Sequence, residues 1–423
     1  MSCDGCEMTV LETQGLAAKN AGRVLAVASA AVKDRALTAI ADALLARQEE
    51  VLCANRADMA AGREVGLTAA LLDRLSLDEA RIKGIVEGVR QVKALPDPIG
   101  QVTKMERRPN GLIIGRRRVP LGVVGIIYEA RPNVTVDAAV LCLKSGNAVI
   151  LRGGKEAIHS NTALAHIMRD ALESAGLPRD CVCLVEDTSR ESARAMMDLK
   201  GYLDVLIPRG GKGLIRSVVD NARVPVIETG SGVCHVYVDE YADLQMAAEI
   251  IFNAKCSRPS VCNAAECLLV HRAVARQFLP MAWEFLKSKH VVIHGDPLTR
   301  EILGEEVVVP AAAEDWDTEY GDYELAVKVV ADAQEAMQFI AEHGTGHSEA
   351  IVTENYSTAQ CFLDQVDAAA VYVNASTRFT DGFEFGLGAE IGISTQKMHA
   401  RGPMGLEELT SYKYVVRGDG QIR

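Results

Sequence analysis

The 423-residue sequence is poor in aromatic residues and has fewer basic than acidic side chains. Aromatic residues make up 5% of the chain, and the formal net charge is −12. An acidic balance argues against a nucleic-acid-binding protein, because such proteins usually carry a basic surface. No uncharged apolar run approaches the roughly 18 residues that a membrane-spanning helix requires. We therefore expect neither a nucleic acid nor a membrane among the partners.

The beginning of the sequence lacks the basic and then apolar order of a secretory signal peptide. The eleven cysteines are scattered along the chain, and several lie in apolar segments. This usage is typical of a reducing compartment rather than of a disulfide framework, so we expect a cytoplasmic location. Cys3 and Cys6 form a CxxC pair without a second pair nearby. A frayed terminus is the preferred interpretation of this pair over a metal site.

The residue pattern changes from helical to alternating after residue 94. Over residues 15–94, apolar positions such as Leu37, Ile40 and Leu44 recur on one helical face. Two series of strands separated by helices follow. The expected strands are residues 122–128, 148–151, 182–185, 205–207, 235–238, 267–270, 325–330, 350–352 and 371–373. Such alternation indicates parallel βαβ units and hence an α/β fold of more than one domain.

Two further segments favour a small element outside these series. Residues 107–118 are strongly basic and contain the turn signal Asn110-Gly111, which predicts a protruding hairpin with a strand at residues 111–114. Residues 407–416 alternate weakly and are expected to form an edge strand. Because the hairpin has too little apolar surface to be stable alone, we expect it to pair with another subunit in a homo-oligomer.

Several motifs together resemble one family. Residues 120–134 contain Asn133 after a strand and a turn, and Glu228 and Cys262 follow in that order. This arrangement resembles the aldehyde dehydrogenase superfamily. Residues 253–263, 374–379, 385–395 and 399–405 are similar to the branch that reduces L-glutamyl 5-phosphate in proline biosynthesis. The resemblance extends over nearly the whole chain from residue 15.

The resemblance implies three structural parts. A Rossmann-like cofactor-binding domain is expected at residues 1–104 and 120–228, and an α/β catalytic domain at residues 229–404. A small β oligomerisation element is expected at residues 105–119 and 405–423. The chain is too short to carry a kinase domain in addition, so a separate glutamate kinase is the expected source of the acyl phosphate.

The resemblance also implies catalytic roles. A Cys262 thiolate would attack the acyl phosphate and leave a thioester, and Asn133 would hold the carbonyl oxygen together with the Cys262 backbone N–H. Nearby Lys255 and Arg258 would favour the thiolate. The alternatives are a buried structural cysteine and a simple turn residue after Pro132. Glu228 stands at the position of the superfamily's general base, but water activation would waste a thioester, so a structural carboxylate remains the alternative.

The dinucleotide fingerprint GxGxxG is absent, and the resemblance implies that NADP(H) is bound without it. Arg152 matches the basic position beside the adenosine ribose, and together with Lys155 it could neutralise a 2′-phosphate. The expected pyrophosphate loop consists of Pro208, Arg209, Gly210 and Gly211, which precede a helix; an ordinary Gly-rich turn is the alternative. Glu319 is the candidate for the nicotinamide ribose, with an exposed acidic loop as the alternative.

Guanidinium groups bind carboxylate and phosphate groups well, so Arg258 and Arg378 are the candidates for binding the anionic groups of the substrate. Either arginine could instead be structural. We expect His347 and His399 to be satisfied, non-catalytic histidines. Three other functions stay open: another acyl-reducing or aldehyde-oxidising member of the superfamily, a cysteine hydrolase or acyltransferase without a nucleotide, and a non-catalytic binding protein. No metal is expected in any of these sites.

Overall fold

A computed structural model describes residues 8–129 and 131–423. Cys3 and Cys6 therefore lie outside the described residues. By its internal contacts the chain divides into two compact units. The first comprises Met1–Thr229, Gly386–Gly392 and Met404–Arg423, and the second comprises Gly230–Phe385 and Ile393–Pro403. Over the described ranges, none of the helices is both long enough and apolar enough to cross a bilayer.

The first unit begins with five helices, as the helical pattern predicts. Four of these helices, all except the third, begin after a residue whose side chain accepts a hydrogen bond from a backbone N–H of the first turn. In chain order the elements of this unit are α1 (Val10–Leu25), α2 (Ala30–Ala46), α3 (Gln48–Glu64), α4 (Ala69–Leu75), α5 (Glu79–Ala94), β1 (Val102–Arg107), β2 (Ile113–Pro120), β3 (Val123–Tyr128), α6 (Pro132–Lys144), β4 (Ala148–Arg152), α7 (Ile158–Ser174), β5 (Val182–Leu184), α8 (Arg190–Met197), β6 (Val205–Arg209) and α9 (Lys212–Asn221).

A four-stranded parallel sheet forms the centre of the first unit. Its strand order is β5-β4-β3-β6, and all four predicted strands of this series are confirmed. Ile127 pairs with Arg152, and Tyr128 pairs with Arg209. The strands β3, β4 and β6 therefore end at the same edge of the sheet. That edge is where ligands bind in open parallel sheets.

The second unit is built on a seven-stranded parallel sheet of order β10-β9-β11-β8-β7-β12-β13. Its elements are β7 (Cys234–Val238), α10 (Leu244–Cys256), β8 (Ala265–His271), α11 (Arg272–Leu286), β9 (Val292–Gly295), α12 (Pro297–Leu303), β10 (Val308–Pro310), β11 (Glu324–Val330), α13 (Ala333–His343), β12 (Ser348–Val352), α14 (Tyr356–Gln365), β13 (Ala370–Val373), and a pair of short strands, β14 (Ile393–Ser394) and β15 (Gly402–Pro403).

Both faces of this seven-stranded sheet are buried. Val236, Val270 and other residues on one face pack against α10 and α11, including Phe278. Tyr237 and neighbouring residues on the opposite face pack against α13 and α14, including Phe362. The predicted strands are confirmed. They are short continuous apolar runs because each strand is buried on both faces. The short strands β9 and β10 and the helices α12 to α14 were not predicted.

The basic hairpin and the C-terminal strand form one three-stranded antiparallel sheet. The strand β16 (Thr410–Arg417) pairs with β2, which also pairs with β1. The predicted hairpin and edge strand are therefore confirmed, but the second hairpin strand runs over Ile113–Pro120 instead of residues 111–114. The chain turns between the two hairpin strands at Gly111, whose φ is +89°.

The segment Gly386–Gly392 belongs to the first unit by its contacts, whereas the sequence boundaries put it in the catalytic domain. The backbone N–H of Ile391 donates to the carbonyl of Met404, and the N–H of Met404 donates to that of Gly392. A Cβ on Gly392 would lie 2.7 Å from Cγ2 of Thr229. These local contacts explain the assignment, and they were not readable from the Gly-rich sequence.

Candidate active site

Cys262 lies on the loop that joins α10 to β8. The helix begins after Asp243, whose side chain accepts from two backbone N–H groups, and it ends at Cys256. Cys262 is half-buried, whereas Cys256 and Cys267 are buried. Burial raises the pKa of the Cys256 thiol to about 11 despite nearby Lys255. Of the three cysteines near this loop, Cys262 is therefore the one most open to a substrate.

Asn263 fixes the loop immediately after the cysteine. Its side-chain amide donates to the backbone carbonyls of Arg378 (3.2 Å) and Thr380 (2.9 Å). The backbone carbonyl of Asn263 accepts from the Thr377 hydroxyl at 2.7 Å. All of these atoms are partly or wholly buried. The motif at residues 374–379 thus has a physical role, which is to hold the Cys262 loop in one conformation.

A second set of contacts holds the backbone carbonyl of Cys262. The buried Cys234 thiol donates to the Cys262 carbonyl at 3.2 Å, and a Cβ on Gly232 would overlap that same carbonyl oxygen. The Gly232 N–H donates to Oε1 of Glu319 at 3.1 Å. Glu319 is exposed, but it is not merely a solvated loop residue, because one carboxylate oxygen binds the segment that precedes β7 and lies against the Cys262 carbonyl.

Lys255 does not supply free positive charge to the cysteine, contrary to the sequence expectation. It is fully buried, and its Nζ lies 2.5 Å from Oε2 of buried Glu266. The other Glu266 oxygen accepts from the Gly321 N–H at 3.2 Å. Burial raises the pKa of Glu266 to about 7, and Lys255 opposes that rise. The pair therefore joins α10, β8 and the loop before β11, and breaking it would cost about 3–5 kcal/mol.

The positive charge near Cys262 comes from two arginines. Burial and the neighbouring Arg258 lower the pKa of Arg378, and Asp381 and Cys262 oppose that change. Nε of Arg378 donates to the Ser257 hydroxyl at 3.1 Å, and its Nη1 contacts the Asn263 side-chain oxygen. Within residues 8–129 and 131–423, neither Arg258 nor Arg378 lies within 4.0 Å of a carboxylate oxygen. Their charges therefore remain unneutralised by ion pairs.

Asn133 belongs to the first unit and is the second residue of α6, which begins with Pro132. It is therefore helical instead of lying in a turn. Its side chain is half-buried, and Nδ2 donates to Oδ2 of Asp137 at 2.9 Å. Asp137 was not predicted as a site residue. The spacing of four residues on a helix, which places two side chains on one face, is the sequence signal that could have revealed it.

Arg152 ends β4, and its side chain is directed to the loop before α8. Nη2 donates to the carbonyl of Thr188 at 2.7 Å and to that of Ser189 at 2.8 Å. Its buried Nε has no hydrogen-bond partner within the described part of the chain. Lys155 lies in the next turn and is exposed. Arg152 thus has a structural role that the sequence did not reveal, while Lys155 is accessible.

Pro208 and Arg209 are the last residues of β6, and Gly210 and Gly211 lead from that strand into α9. The predicted order of a strand followed by a helix is therefore confirmed, but the first two residues of the expected loop belong to the strand. The Gly211 N–H at the start of that helix donates to Oε2 of Glu129 at 2.9 Å. A Cβ on Gly210 would lie 2.6 Å from Cδ of the same glutamate. An exposed carboxylate therefore already binds the positive end of the helix, as expected for an anion at a helix N-terminus.

Glu228 is half-buried in the segment between α9 and β7. The hydroxyl of the next residue, Thr229, donates to the Pro208 carbonyl at 2.8 Å, which ties this segment to the pyrophosphate-loop candidate. His347 is buried, and its Nδ1 lies 2.8 Å from the Ser348 hydroxyl. Among the residues that the structure describes, no cluster of three or more His, Cys, Asp or Glu side chains has metal-binding geometry.

Each unit thus gathers one part of the predicted site. In the second unit, Gly232 lies against the Cys262 carbonyl and donates to Glu319. Ser257 and Asn263 bind Arg378, whose electrostatic neighbours include Arg258 and Cys262. In the first unit, Asn133, Arg152, Lys155 and residues 208–211 all lie at or after the carboxyl ends of β3, β4 and β6. In the first unit, this grouping follows from the parallel topology of the sheet, because the carboxyl ends of its strands meet at one edge.

Comparison with known proteins identifies the family. The profile of the aldehyde dehydrogenase family matches residues 9–303. A γ-glutamyl phosphate reductase of Heliobacterium modesticaldum is 60% identical over 98% of this chain and 99% of its own. The chain belongs to the γ-glutamyl phosphate reductases of the aldehyde dehydrogenase family. The α/β fold of the aldehyde dehydrogenase type, as predicted, is therefore confirmed.

Two further relatives agree with this assignment. The γ-glutamyl phosphate reductase of Carboxydothermus hydrogenoformans is 60% identical over 96% of this chain and 97% of its own. The crystal structure of γ-glutamyl phosphate reductase from Thermotoga maritima has a TM-score of 0.96 at 50% identity, covering 98% of this chain and all of that one. Membership of the family removes the interpretation as a cysteine hydrolase of another superfamily.

Proposed function

We propose that this chain reduces L-glutamyl 5-phosphate to L-glutamate 5-semialdehyde and releases phosphate, in proline biosynthesis. The observation that carries the proposal is the 60% identity to a γ-glutamyl phosphate reductase over nearly the full length of both chains. The half-buried Cys262, held by Asn263 and Cys234, supplies the nucleophile that this reaction requires. In this proposal the first unit binds the cofactor, the second performs the chemistry, and the chain functions in the cytoplasm.

The Cys262 thiolate attacks the acyl carbonyl, and the bond to phosphate breaks with its electron pair on the leaving oxygen. The product on the protein is a thioester. The chemistry that a nicotinamide cofactor would supply here is a hydride, by which this thioester would be reduced. The resulting hemithioacetal then expels the Cys262 thiolate and releases the aldehyde. Positive charge from Arg258 and Arg378 favours the Cys262 thiolate both before it attacks and when it leaves the hemithioacetal.

Negative charge develops on the carbonyl oxygen in both steps, and the Asn133 amide and the Cys262 backbone N–H are the proposed donors. One such donor typically contributes about 3–4 kcal/mol of transition-state stabilisation. Arg258 and Arg378 also remain our candidates for binding the anionic groups of the substrate. Glu228 has no step in this sequence, because a thiolate attacks without water activation; a structural role suits it better.

The first unit has groups that fit a dinucleotide. Gly210 and Gly211 leave the backbone accessible at the start of α9, where a pyrophosphate would replace the Glu129 carboxylate. Among the described residues, Nε of Arg152 has no hydrogen-bond partner. Arg152 and the exposed Lys155 provide positive charge beyond β4. Glu319 of the second unit stays our candidate for the nicotinamide ribose, because the Gly232 N–H occupies only one of its carboxylate oxygens. We propose NADP(H) as the cofactor, because two basic residues at one ribose suit a 2′-phosphate.

The proposal is tested by following NADPH oxidation while glutamate kinase, ATP and L-glutamate generate the acyl phosphate in the cuvette. Oxidation should require all three components. Acetyl phosphate and acetyl-CoA serve as comparison substrates. Oxidation with acetyl-CoA but not with glutamyl phosphate would instead support another acyl-reducing member of the family. The kinase is required here only as a source of substrate, and we propose it as the partner that supplies the acyl phosphate.

Lys155→Ala is expected to weaken NADPH binding about tenfold while changing NADH binding less than about twofold. The reason is the loss of one charge-assisted contact to the 2′-phosphate. Binding is measured by fluorescence titration with each cofactor. Lys83→Ala, at an exposed position of α5, is the matched control. Equal losses for NADPH and NADH would contradict the assignment. Arg152→Ala is less informative, because it also releases the Thr188 and Ser189 carbonyls.

Tyr414→Glu combined with Val416→Glu is expected to reduce the mass measured by light scattering. Both side chains lie on β16 and are 64% and 54% exposed, and residues two apart on a strand share one face. Exposed apolar residues on an edge strand are typical of a protein interface. The control is Tyr356→Glu on α14, where the side chain is 81% exposed. An unchanged mass for the double variant would count against this sheet as the proposed homo-oligomer interface.

A further inference from the structure

Asp137 makes a directed contact with the proposed oxyanion donor. It lies one helical turn after Asn133 on α6, and its Oδ2 accepts from Asn133 Nδ2 at 2.9 Å. The contact joins a half-buried amide to a half-buried carboxyl group. The helix α5 packs against α6 at this level, where a Cβ on Gly88 would lie 3.9 Å from Asp137 Oδ1. The carboxyl group is therefore enclosed by the protein on that side.

The direction of this hydrogen bond matters for the chemistry. An asparagine side chain has an oxygen that accepts and a nitrogen with two N–H groups that donate, and the two ends are interchangeable by a rotation of 180°. An acceptor next to the amide selects the orientation in which nitrogen faces it. One N–H then binds Asp137, and the second stays available for a carbonyl oxygen. With the amide reversed, an oxygen would face the developing negative charge and repel it.

We propose that Asp137 is a positioning residue that holds the Asn133 amide with its nitrogen toward the reacting carbonyl. This inference rests on the proposed role of Asn133 in the reduction of the acyl phosphate. It adds a residue for which neither the sequence motifs nor the superfamily's three catalytic positions gave a role.

The electrostatics of Asp137 are compatible with this role. A full negative charge near a developing oxyanion would oppose it, so the charge on the carboxyl group must be small or balanced. Burial raises the pKa of Asp137 to about 6, while the hydrogen bond from Asn133 and the positive charge of Arg209 oppose that rise. Arg209 therefore offsets part of the charge of the ionised form. Asp137 can accept a hydrogen bond without exerting the full repulsion of an isolated carboxylate.

Two substitutions separate positioning from simple packing. Asp137→Leu keeps the branched shape of the side chain but removes the acceptor, and we expect kcat to fall about 10- to 100-fold with KM values changed less than about twofold. Asp137→Asn keeps an oxygen acceptor, and we expect it to restore kcat to within about fivefold of the unsubstituted enzyme. Asp42→Leu, on the exposed face of α2, is the control for adding an apolar side chain. Melting temperatures confirm folding, and Asp137→Ala replaces the leucine variant if that variant does not fold.

The double variant Asn133→Ala with Asp137→Leu supplies a readout that a structural role would not produce. If Asp137 acts through Asn133, the double variant should be no slower than Asn133→Ala alone, within about twofold. Normal activity of Asp137→Leu, or an additive loss in the double variant, would overturn the inference. Equal losses in the Leu and Asn variants would also overturn it. Full activity of Asn133→Ala would instead defeat the proposed oxyanion role itself, so the two failures are distinguishable.

Discussion

Cys262→Ser is expected to lower the rate of acyl phosphate reduction by at least about 10³-fold. A serine hydroxyl is far less acidic than a thiol, so it forms almost no nucleophilic anion at neutral pH and yields no thioester. Cys256→Ser and Cys267→Ser are matched controls from the same region, and both should keep most of the activity. Their side chains are buried, and the pKa of Cys256 is raised to about 11, so neither is suited to attack a substrate.

The reacting cysteine is identified directly by mass spectrometry. Stoichiometric iodoacetamide or an acyl donor should leave its adduct on the peptide that contains Cys262. Cys256 lies in the same region of the chain, so fragmentation of the peptide must assign the residue. An adduct mainly on Cys256, together with an active Cys262→Ser enzyme, would refute the mechanism.

Asn133→Ala is expected to lower kcat about 10²- to 10³-fold with little change in KM. The amide is proposed to bind the carbonyl oxygen only when negative charge develops on it, and a donor of this kind contributes about 3–4 kcal/mol. Steady-state kinetics with the coupled kinase system measure the effect. Asn20→Ala, at an exposed position of α1, is the control. A raised KM with unchanged kcat would show that Asn133 contributes to substrate binding rather than to the transition state.

The main elements of the fold could be predicted from the sequence because their signals are local. The strands β3, β7 and β8 are short apolar runs that are buried on both faces, and the hairpin carries its turn signal at Asn110 and Gly111. Elements whose signals are weaker escaped prediction. The strand β10 has only three residues, Val308–Pro310, and two of them are exposed, so no apolar run distinguishes it from a loop.

The partners of charged side chains could not be predicted, because they are set by the three-dimensional fold. Lys255 lies close to Cys262 in sequence, yet its charge is neutralised by Glu266 across 2.5 Å. Glu129 binds the start of α9 although 82 positions separate it from Gly211. Arg152 was predicted as a cofactor ligand and also binds backbone carbonyls at Thr188 and Ser189. The residue type of each side chain therefore predicts which groups it can bind, whereas the fold determines which of those groups lie within reach.

The most direct test of the proposed reaction is its phosphate dependence in the reverse direction. The purified chain is incubated with L-glutamate 5-semialdehyde and NADP⁺, with and without inorganic phosphate, and NADPH formation is recorded. Release of the acyl group from Cys262 to phosphate should make sustained NADPH formation strictly dependent on phosphate. A rate that is equal without phosphate would show that water releases the acyl group, and it would contradict the proposed function.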